Sequence, residues 1–482
     1  MPDTNVGTDR QLFVDEFWIA EMSGVERRLH EPIRREVAIE PNGKLDLLPC
    51  AGKFMWDGDR YRAWYRTDHE AYSHQAELGI ESEKSLKRSG LGTAYAESKD
   101  GITWTRPNLG LFEANGTKDN NLVWMGPGAN MGPFRDPNPD VPDDERYKAV
   151  VRTKDLMGMV SPDGVNWRLL QDEPIMTDGP FDSVNVVFWD TAREEYVVYT
   201  RGVAGEATQT KSEKDISIWK KSYRWIRRAT SKDFVNWSPL ELIDIGETPH
   251  EDFYTNACIQ YERAPGIYLM FPSRYVVERT PNADWTSHVA ANANQPYGNG
   301  VNDIVFMSSR DGLHFDRSMR DAFIKPGTDQ NNWHDRGVYI EPGILQTSPT
   351  ELSLYGMENS HLPSQRIRRY SLRTDGFVSM NAGYAGGEFL TKPMIFEGGE
   401  LELNYSTSAV GSVQVEIQDA EGYALPGYSL ADCPEKFGDE IEGAVSWNAG
   451  TSVGDLAGQP VRLRFVLKDA DLYAFRFRNA TG

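Results

Sequence analysis

The stretch Ser98–Trp104 reads SKDGITW, and related stretches return along the chain. The copies are SPDGVNW from Ser161, SKDFVNW from Ser231 and SRDGLHF from Ser309, and a divergent fifth copy, SLRTDGFV, begins at Ser371. Their starts lie 62 to 78 residues apart, which is too long for most solenoids and suits a sheet unit with loop insertions. Ser, Asp and Gly tighten a turn and the trailing aromatic residue returns to the core, so each copy is typical of a hairpin corner.

Short runs rich in aromatic and β-branched residues precede each corner and predict strands. In the first unit these runs are LLPCAGKFMW, RYRAWYR and LGTAYAE, here named strands A, B and C, and strand D follows the corner. The same order recurs in the other four units. Four antiparallel strands at this period indicate a propeller blade, so the sequence predicts an all-β fold with a five-bladed β-propeller over residues 31–386. The alternative is that the corners are unrelated hairpins of a large sandwich.

The two ends of the chain lack the repeat. Residues 1–30 predict an N-terminal strand and an extended lead-in. From about Gly387 onward, runs such as ELELNYSTS and SVQVEIQDAEG alternate apolar with polar residues, as strands with one wet face do. We therefore expect a second domain, a β-sandwich, over residues 387–482, which either braces the propeller or binds sugar.

Composition excludes several classes of protein. The 51 basic and 72 acidic residues give a formal net charge of −21, which repels nucleic acid. No run of about 18 apolar residues predicts a membrane span, and the first residues lack the apolar segment of a signal peptide. We expect a soluble, cytoplasmic protein unless an export signal was removed. Cys50, Cys258 and Cys433 are too far apart in sequence for a disulfide framework or a structural zinc site.

Strand direction predicts where chemistry would occur. Strand A starts, and strand B ends, at one end of each unit, whereas the A–B turns and the SxDG corners lie at the other. The first end, here named the mouth end, should hold the active site, because long loops connect B to C there and wall a pocket. Carboxylates near the starts of strand A are the candidate catalytic groups: Asp46, Asp136, Asp182 and Glu251.

A second set of charged residues at the mouth end would bind substrate or tune the carboxylates. An ion-pair ring that closes the propeller is the structural alternative for them. Tyr254 and Tyr339 are among the aromatic residues that could stack on a sugar. The candidate substrate-binding residues are Arg66, Arg135, Arg152, Arg201, Asp252, Arg274, His334, Asp335, Arg336 and Glu358.

Clustered carboxylates suit the breaking of a glycosidic bond. That reaction needs a protonated acid at the leaving oxygen and a second carboxylate as nucleophile or as base for water. Neighbouring carboxylates push their pKa values apart, so one stays protonated near neutral pH. We therefore predict an exo-acting glycoside hydrolase for a plant or algal oligo- or polysaccharide. We expect no required cofactor, although a structural cation or a water could lie on the propeller axis. The sequence leaves the oligomeric state open.

Five blades, the FRDP sequence around Asp136 and the trailing sandwich resemble the clan of invertases, levansucrases, arabinanases and β-xylosidases. The resemblance implies that Asp46 is the nucleophile or base and that Asp136 stabilises the transition state. It implies a glutamate as general acid in the third blade, where this chain has Asp182 instead. Glu251, one blade later, is the alternative candidate for the general acid. The sequence PNGKLD around Asp46 also differs from the WMNDPNG motif of invertases.

The corners also resemble the Asp boxes of sialidases, SxDxGxxW, although Asp and Gly are adjacent here. That resemblance implies an arginine clamp for an acidic sugar, with Arg135, Arg274 and Arg336 as candidates. Two alternatives to the neutral-sugar glycosidase therefore stand: a sialidase-like or uronate-directed glycosidase, and a propeller that binds glycan or protein without chemistry.

Overall fold

The regular secondary structure of the described residues is almost entirely β-strand. A computed structural model describes residues 4–42, 50–68, 91–114, 116–125, 128, 130–205, 222–279, 300–333, 336–360, 364–448, 450 and 452–479. The helical elements in these ranges are single 3₁₀ turns at Asp143–Glu145, Gln330–Asn332 and Gly454–Leu456. No helix among the described residues is long and apolar enough to span a membrane. The prediction of an all-β chain is confirmed.

The first three repeats each form a four-stranded antiparallel sheet with its strands in the order A, B, C, D. Adjacent sheets cover both faces of the middle strands, so Tyr147–Arg152 is buried almost throughout and does not alternate. Sheet 1 consists of Cys50–Trp56, Tyr61–Asp68, Leu91–Ser98 and Leu122–Trp124. Sheet 2 consists of Phe134–Arg135, Tyr147–Arg152, Leu156–Ser161 and Arg168–Leu169. Sheet 3 consists of Val186–Asp190, Glu195–Gly205, Ser222–Ser231 and Glu241–Leu242.

The fourth repeat is divided into two hydrogen-bonded parts. Pro272 interrupts its strand B, because proline has no N–H to donate to a ladder, and its carbonyl accepts from Val305 instead. The mouth-end part consists of Asp252–Phe253, Ser273–Val276 and Val301–Ile304. The other part consists of Ile259–Gln260, Tyr268–Met270, Met307–Ser309 and Phe315–Asp316. Together they are named sheet 4.

The fifth sheet takes one strand from the N-terminal part of the chain. Ile33–Ile39, predicted only as an extended lead-in, pairs antiparallel with strand C of this repeat and supplies its strand D. The strands from the repeat itself are Val338–Ile340, Leu345–Ser348, Glu351–Glu358 and Arg366–Arg373. Sheet 5 also touches sheet 1, where the Phe54 N–H donates to the Pro342 carbonyl over 3.1 Å. The N-terminal strand therefore joins the last repeat to the start of the series.

The repeated corners have one shared hydrogen-bond pattern. In the second copy, Asp163 accepts from the backbone N–H groups of Val165 and Asn166, each over 2.8 Å, while the Gly164 N–H donates to Ser161 Oγ over 2.9 Å. Gly164 has φ +77°, a conformation that favours glycine, and Phe234 adopts φ +67° at the matching place of the third copy. These corners and the A–B turns form the end opposite the mouth end, here named the corner end.

The N-terminal strands pair with the C-terminal part of the chain. Val25–Leu29 pairs with Val378–Ala382, Ile19–Ser23 with Gly387–Thr391, and Thr4–Gly7 with Met394–Phe396. These pairings connect the described N-terminal strands with the C-terminal part of the chain, where such pairing begins at Val378. The remaining strands of this part are Gln11–Leu12, Glu400–Gln418, Asp439–Ala444 and Arg462–Arg478.

Candidate active site

Tyr254 lies where sheets 3, 4 and 5 meet at the mouth end. It directly follows the strand Asp252–Phe253 of sheet 4, and its carbonyl accepts a 2.9 Å hydrogen bond from Ser183 Oγ, just before strand A of sheet 3. The ring lies 5.9 Å from those of Tyr275 and Tyr339, measured between centroids. Its side chain is partly exposed, and three neighbouring repeats therefore surround one accessible phenol.

Three guanidinium groups converge on this phenol. The guanidinium carbon of Arg201 lies 4.7 Å from the ring centroid, that of Arg224 5.4 Å and that of Arg336 6.0 Å. Arg336 also donates from Nη1 to the phenol oxygen over 3.4 Å. Cations at these distances are attracted to the ring face. The backbone of Arg336 has φ +57°, and such left-handed residues other than glycine cluster at ligand sites.

The arginines change the acidity of the phenol. Burial by itself raises the pKa of Tyr254, but the positive charges of Arg336, Arg201 and Arg224 outweigh burial and lower the pKa below the ordinary value. The described tyrosines with a resolved shift elsewhere in the chain have raised pKa values, as Tyr196 and Tyr268 do. Among the described tyrosines with a resolved shift, Tyr254 is therefore the one whose surroundings lower the pKa.

Two carboxylates belong to the same cluster. Arg201 Nη1 donates to Asp182 Oδ2 over 2.6 Å, and the Asp182 carboxylate is partly exposed. The backbone N–H of Arg224 donates to Asp252 Oδ1 over 2.6 Å, and its Nη1 lies 3.5 Å from the same oxygen. Burial raises the pKa of Asp252 in spite of the opposing charge of Arg224. One carboxylate is therefore fixed by a guanidinium, while the other has an environment that favours its protonated form.

The predicted residues Asp182, Arg201, Asp252 and Arg336 thus lie together. Arg224 was missed, although it falls in SYRWIRRAT, a strand C with three arginines at the edge of a long loop. Tyr254 was predicted only as an aromatic surface for a sugar. An arginine near the start of a C strand was the available signal, because C strands begin at the mouth end.

Glu251 and Arg274 form a separate ion-pair network. Glu251 lies 3.0 Å from Arg274, 3.2 Å from Arg317 and 3.3 Å from Arg320, and Arg274 pairs with Asp303 at 2.6 Å. A carboxylate bound by three guanidinium groups is well suited to joining strands. This arrangement corresponds to the structural alternative that the sequence left open for these charges.

Glu358, Arg66 and Arg152 lie at mouth-end positions of strand B, as predicted. Glu358 is buried and accepts from Arg366, Arg368 and the Tyr370 hydroxyl, so it joins strands of sheet 5. Arg66 donates to Asn130 Oδ1 over 3.4 Å. Arg152 is partly buried opposite Leu156, beside the short B–C turn of sheet 2. The predicted Asp46, His334 and Asp335 lie outside the described residues.

The predicted position of Asp136 is wrong, and so is that of Arg135. Strand A of sheet 2 is Phe134–Arg135 itself, so Asp136 follows the strand and lies at the corner end. Asp136 is 1% exposed, and its Oδ2 accepts from Lys148 Nζ over 2.8 Å and from Tyr196 Oη over 2.6 Å. Arg135 lies at the same end, 3.7 Å from Asp57. Neither residue belongs to the cluster around Tyr254.

Solved structures similar to this chain include several glycoside hydrolases. One named simply a glycoside hydrolase is 13% identical, with a TM-score of 0.43, covering 71% of this chain and 92% of its own. The catalytic domain of a GH62 α-L-arabinofuranosidase from Coprinopsis cinerea is 10% identical, with a TM-score of 0.41 and coverages of 73% and 99%. An α-L-arabinofuranosidase from Podospora anserina, in complex with cellotriose, is 11% identical, with a TM-score of 0.40 and coverages of 71% and 96%.

No family model and no curated protein matches the chain. The sequence predicted a distant, architectural resemblance to glycoside hydrolases, and the similar structures above are glycoside hydrolases at very low identity. Similarity of this size shows neither a reaction nor the residues that would carry it.

Proposed function

We propose that this chain is a glycoside hydrolase that removes a terminal sugar bearing an acidic group from a plant or algal oligosaccharide. The convergence of Arg201, Arg224 and Arg336 on Tyr254, beside two carboxylates, supports this proposal. We further propose that the five sheets are blades around one axis and that the C-terminal strands form a β-sandwich. Strand D of sheet 5 comes from Ile33–Ile39, a pairing suited to closing such a ring.

In the proposed reaction, Asp252 is the general acid. Burial raises its pKa, which is the direction that favours a proton donor to the glycosidic oxygen of the leaving group. Asp182, hydrogen-bonded to Arg201, is the ionised partner that attacks the anomeric carbon or activates a water there. If Asp182 attacks the anomeric carbon, Asp252 as a carboxylate then takes the proton of the water that releases the sugar from Asp182; if Asp182 activates the water directly, Asp182 itself takes that proton.

The acidic group of the sugar would interact with the arginines and the Tyr254 hydroxyl. A planar guanidinium binds a carboxylate through two parallel hydrogen bonds, and several guanidiniums together favour an anion over a neutral group. Three guanidiniums gathered around one partly exposed phenol, in a chain with a net charge of −21, support the uronate-directed alternative over a neutral-sugar glycosidase.

Paired substrates test the proposal. We expect 4-nitrophenyl glucuronides or galacturonides to be hydrolysed, with at least tenfold lower kcat/KM for the matching glucosides and galactosides. Asp252→Asn and Asp182→Asn should each lower kcat by about 10² to 10⁴, measured at a temperature at which circular dichroism shows each variant to be folded. Asp172→Asn, on an exposed loop, is the matched control. Binding of these sugars without turnover by any preparation would instead support a non-catalytic binding propeller.

A further inference from the structure

A large cavity opens at the corner end, away from the cluster around Tyr254. Its volume is about 1480 Å³, and residues from all five sheets line it at or near the ends of their inner strands. Examples are Lys53, Phe134, Phe188, Ile259 and Leu345. Ordinary small-molecule sites measure about 300–1,000 Å³, so this cavity has room for several sugar rings.

Lys53 is the charged group that this cavity leaves unmatched. Its side chain lines the cavity and is 8% exposed, and no described carboxylate lies within ion-pair distance of its ammonium group. Burial lowers the pKa of Lys53 to about 8, and only the Cys258 thiol acts in the opposite direction. A buried cation without a partner is costly, and an anion bound beside it would offset that cost.

Two of the carboxylates that line the cavity have basic partners, and a third, Glu262, is exposed to solvent. Glu442 lies 3.2 Å from Arg10 and 3.4 Å from Arg263, and Glu440 lies 3.3 Å from Lys436. Asp57, adjacent to the wall, pairs with Arg62 at 2.7 Å. These acidic groups are therefore neutralised locally and do not supply the missing charge at Lys53.

The wall of the cavity has the character of a carbohydrate site. Trp56 is 43% exposed and packs against Tyr61 with a centroid distance of 4.7 Å, and Trp189 is partly exposed in the same wall. Hydroxyl and amide side chains, among them Thr347 and Gln260, also line it. Exposed indole faces among polar groups fit a sugar ring, which has an apolar face and a hydroxyl edge.

We propose that the corner-end cavity is a second binding site, which takes an acidic oligosaccharide with its anionic group against Lys53 and a sugar ring against Trp56. The saccharide part of the ligand rests on the proposed function, whereas the negative charge rests on Lys53 alone. The site binds and does not hydrolyse, so it would tether a polymer chain to the protein at the end opposite the reaction.

Calorimetric titration with trigalacturonate and with neutral galactotriose tests this site. The mouth-end variant Arg336→Ala serves as the background, because it weakens binding at the other end. We expect trigalacturonate to bind this background, and Lys53→Met or Trp56→Ala to weaken its binding at least tenfold. Lys53→Met removes a buried charge and should fold, and Lys99→Met, which removes an exposed lysine, is the matched control.

A labelling experiment gives an independent measure. Lys53 should react with acetic anhydride more readily than ordinary lysines near pH 8, and trigalacturonate should protect it while galactotriose does not. Unchanged affinity in Lys53→Met, or equal protection by both sugars, would overturn the proposal. If Lys53→Met abolishes binding while no preparation hydrolyses any glycoside, the cavity site stands and the proposed function falls.

Discussion

Tyr196 Oη donates a 2.6 Å hydrogen bond to Asp136 Oδ2, from the start of strand B in sheet 3 to the end of strand A in sheet 2. The same bond joins Tyr147 of sheet 2 to Asp57 of sheet 1 over 2.6 Å, and Tyr268 of sheet 4 to Asp190 of sheet 3. Each carboxylate also has a basic partner, namely Arg62, Lys148 or Arg193. Asp136 is therefore one of three equivalent links between adjacent sheets.

Replacing Asp136 should destabilise the fold without affecting the reaction. In Asp136→Asn the buried Lys148 ammonium keeps only the more distant Glu145 carboxylate, at 3.9 Å, so we expect the free energy of unfolding to fall by about 3–5 kcal/mol. Urea denaturation measures this loss. Tyr196→Phe, which removes only one hydrogen bond to the carboxylate, should cost about 1.5–3 kcal/mol. Lost turnover in Asp136→Asn with unchanged stability would restore its catalytic role.

Local patterns predicted the repeats well and the position of Asp136 badly. Strands B and C and the corners are long or chemically distinctive, so aromatic runs and SxDG identified them. Strand A of sheet 2 has only two residues, Phe134–Arg135, which is too short to show any periodicity. The sequence therefore gives no sign that FRDP contains this strand and that Asp136 follows it. The pairing of Ile33–Ile39 with strand C of sheet 5 joins residues more than 300 positions apart, which no local pattern reveals.

Gly164 should not tolerate a side chain at its corner. Its φ of +77° disfavours L-residues, and an added Cβ would lie 3.0 Å from Trp64 Cζ2 and 3.1 Å from Arg62 Nη1. We expect Gly164→Ala to cost about 1–2 kcal/mol for the backbone alone, plus the contact with Trp64. Gly110→Ala is the control, because Gly110 has φ +67° with nothing within 4 Å of an added Cβ. Equal losses in thermal unfolding would show that packing against Trp64 contributes nothing.

The corner aspartates should make stability depend on acidic pH. Although partial burial raises their pKa values, hydrogen bonds lower the pKa of Asp233 and of Asp311 to about 2. The unfolded value is about 3.9, so the stability they contribute is complete above that pH and is lost as pH falls toward 2. Urea unfolding between pH 2 and 6 should show a steep fall below pH 4. The double variant Asp233→Asn/Asp311→Asn should be less stable at pH 6, and its free energy of unfolding should fall less steeply with decreasing pH.

Tyr254 should ionise before the other tyrosines. Its lowered pKa predicts an early phase in the tyrosinate absorbance during alkaline titration, below the ordinary value of about 10. That phase should be absent in Tyr254→Phe and should move to higher pH in Arg336→Ala, which removes the largest of the lowering charges. Tyr339→Phe, a neighbouring tyrosine at 5.9 Å, is the matched control and should retain the phase. An unchanged titration curve in Tyr254→Phe would contradict the assignment.

The alkaline limb of the pH–rate profile should follow the loss of the proton from the Asp252 carboxyl. A general acid must be protonated to act, so kcat/KM falls as pH rises through its pKa, which burial raises and Arg224 lowers. Arg224→Met removes the opposing charge, and the limb should therefore move to higher pH by about one unit or more. Affinity for an acidic sugar should weaken as well, because one of the three guanidiniums around Tyr254 is gone.

Two comparisons distinguish the shift of the alkaline limb in Arg224→Met from the effect of removing any positive charge. Arg168→Met, which removes a half-exposed arginine at the corner end, should leave the limb where it is. Asp252→Asn should abolish the alkaline limb, since no titrating acid remains. The residual rate of this variant should be highest on substrates whose leaving group needs no proton. A limb that stays in place in Arg224→Met, or survives in Asp252→Asn, would assign the acid to another residue, because a charge 3.5 Å from the titrating carboxylate cannot be removed without shifting its pKa.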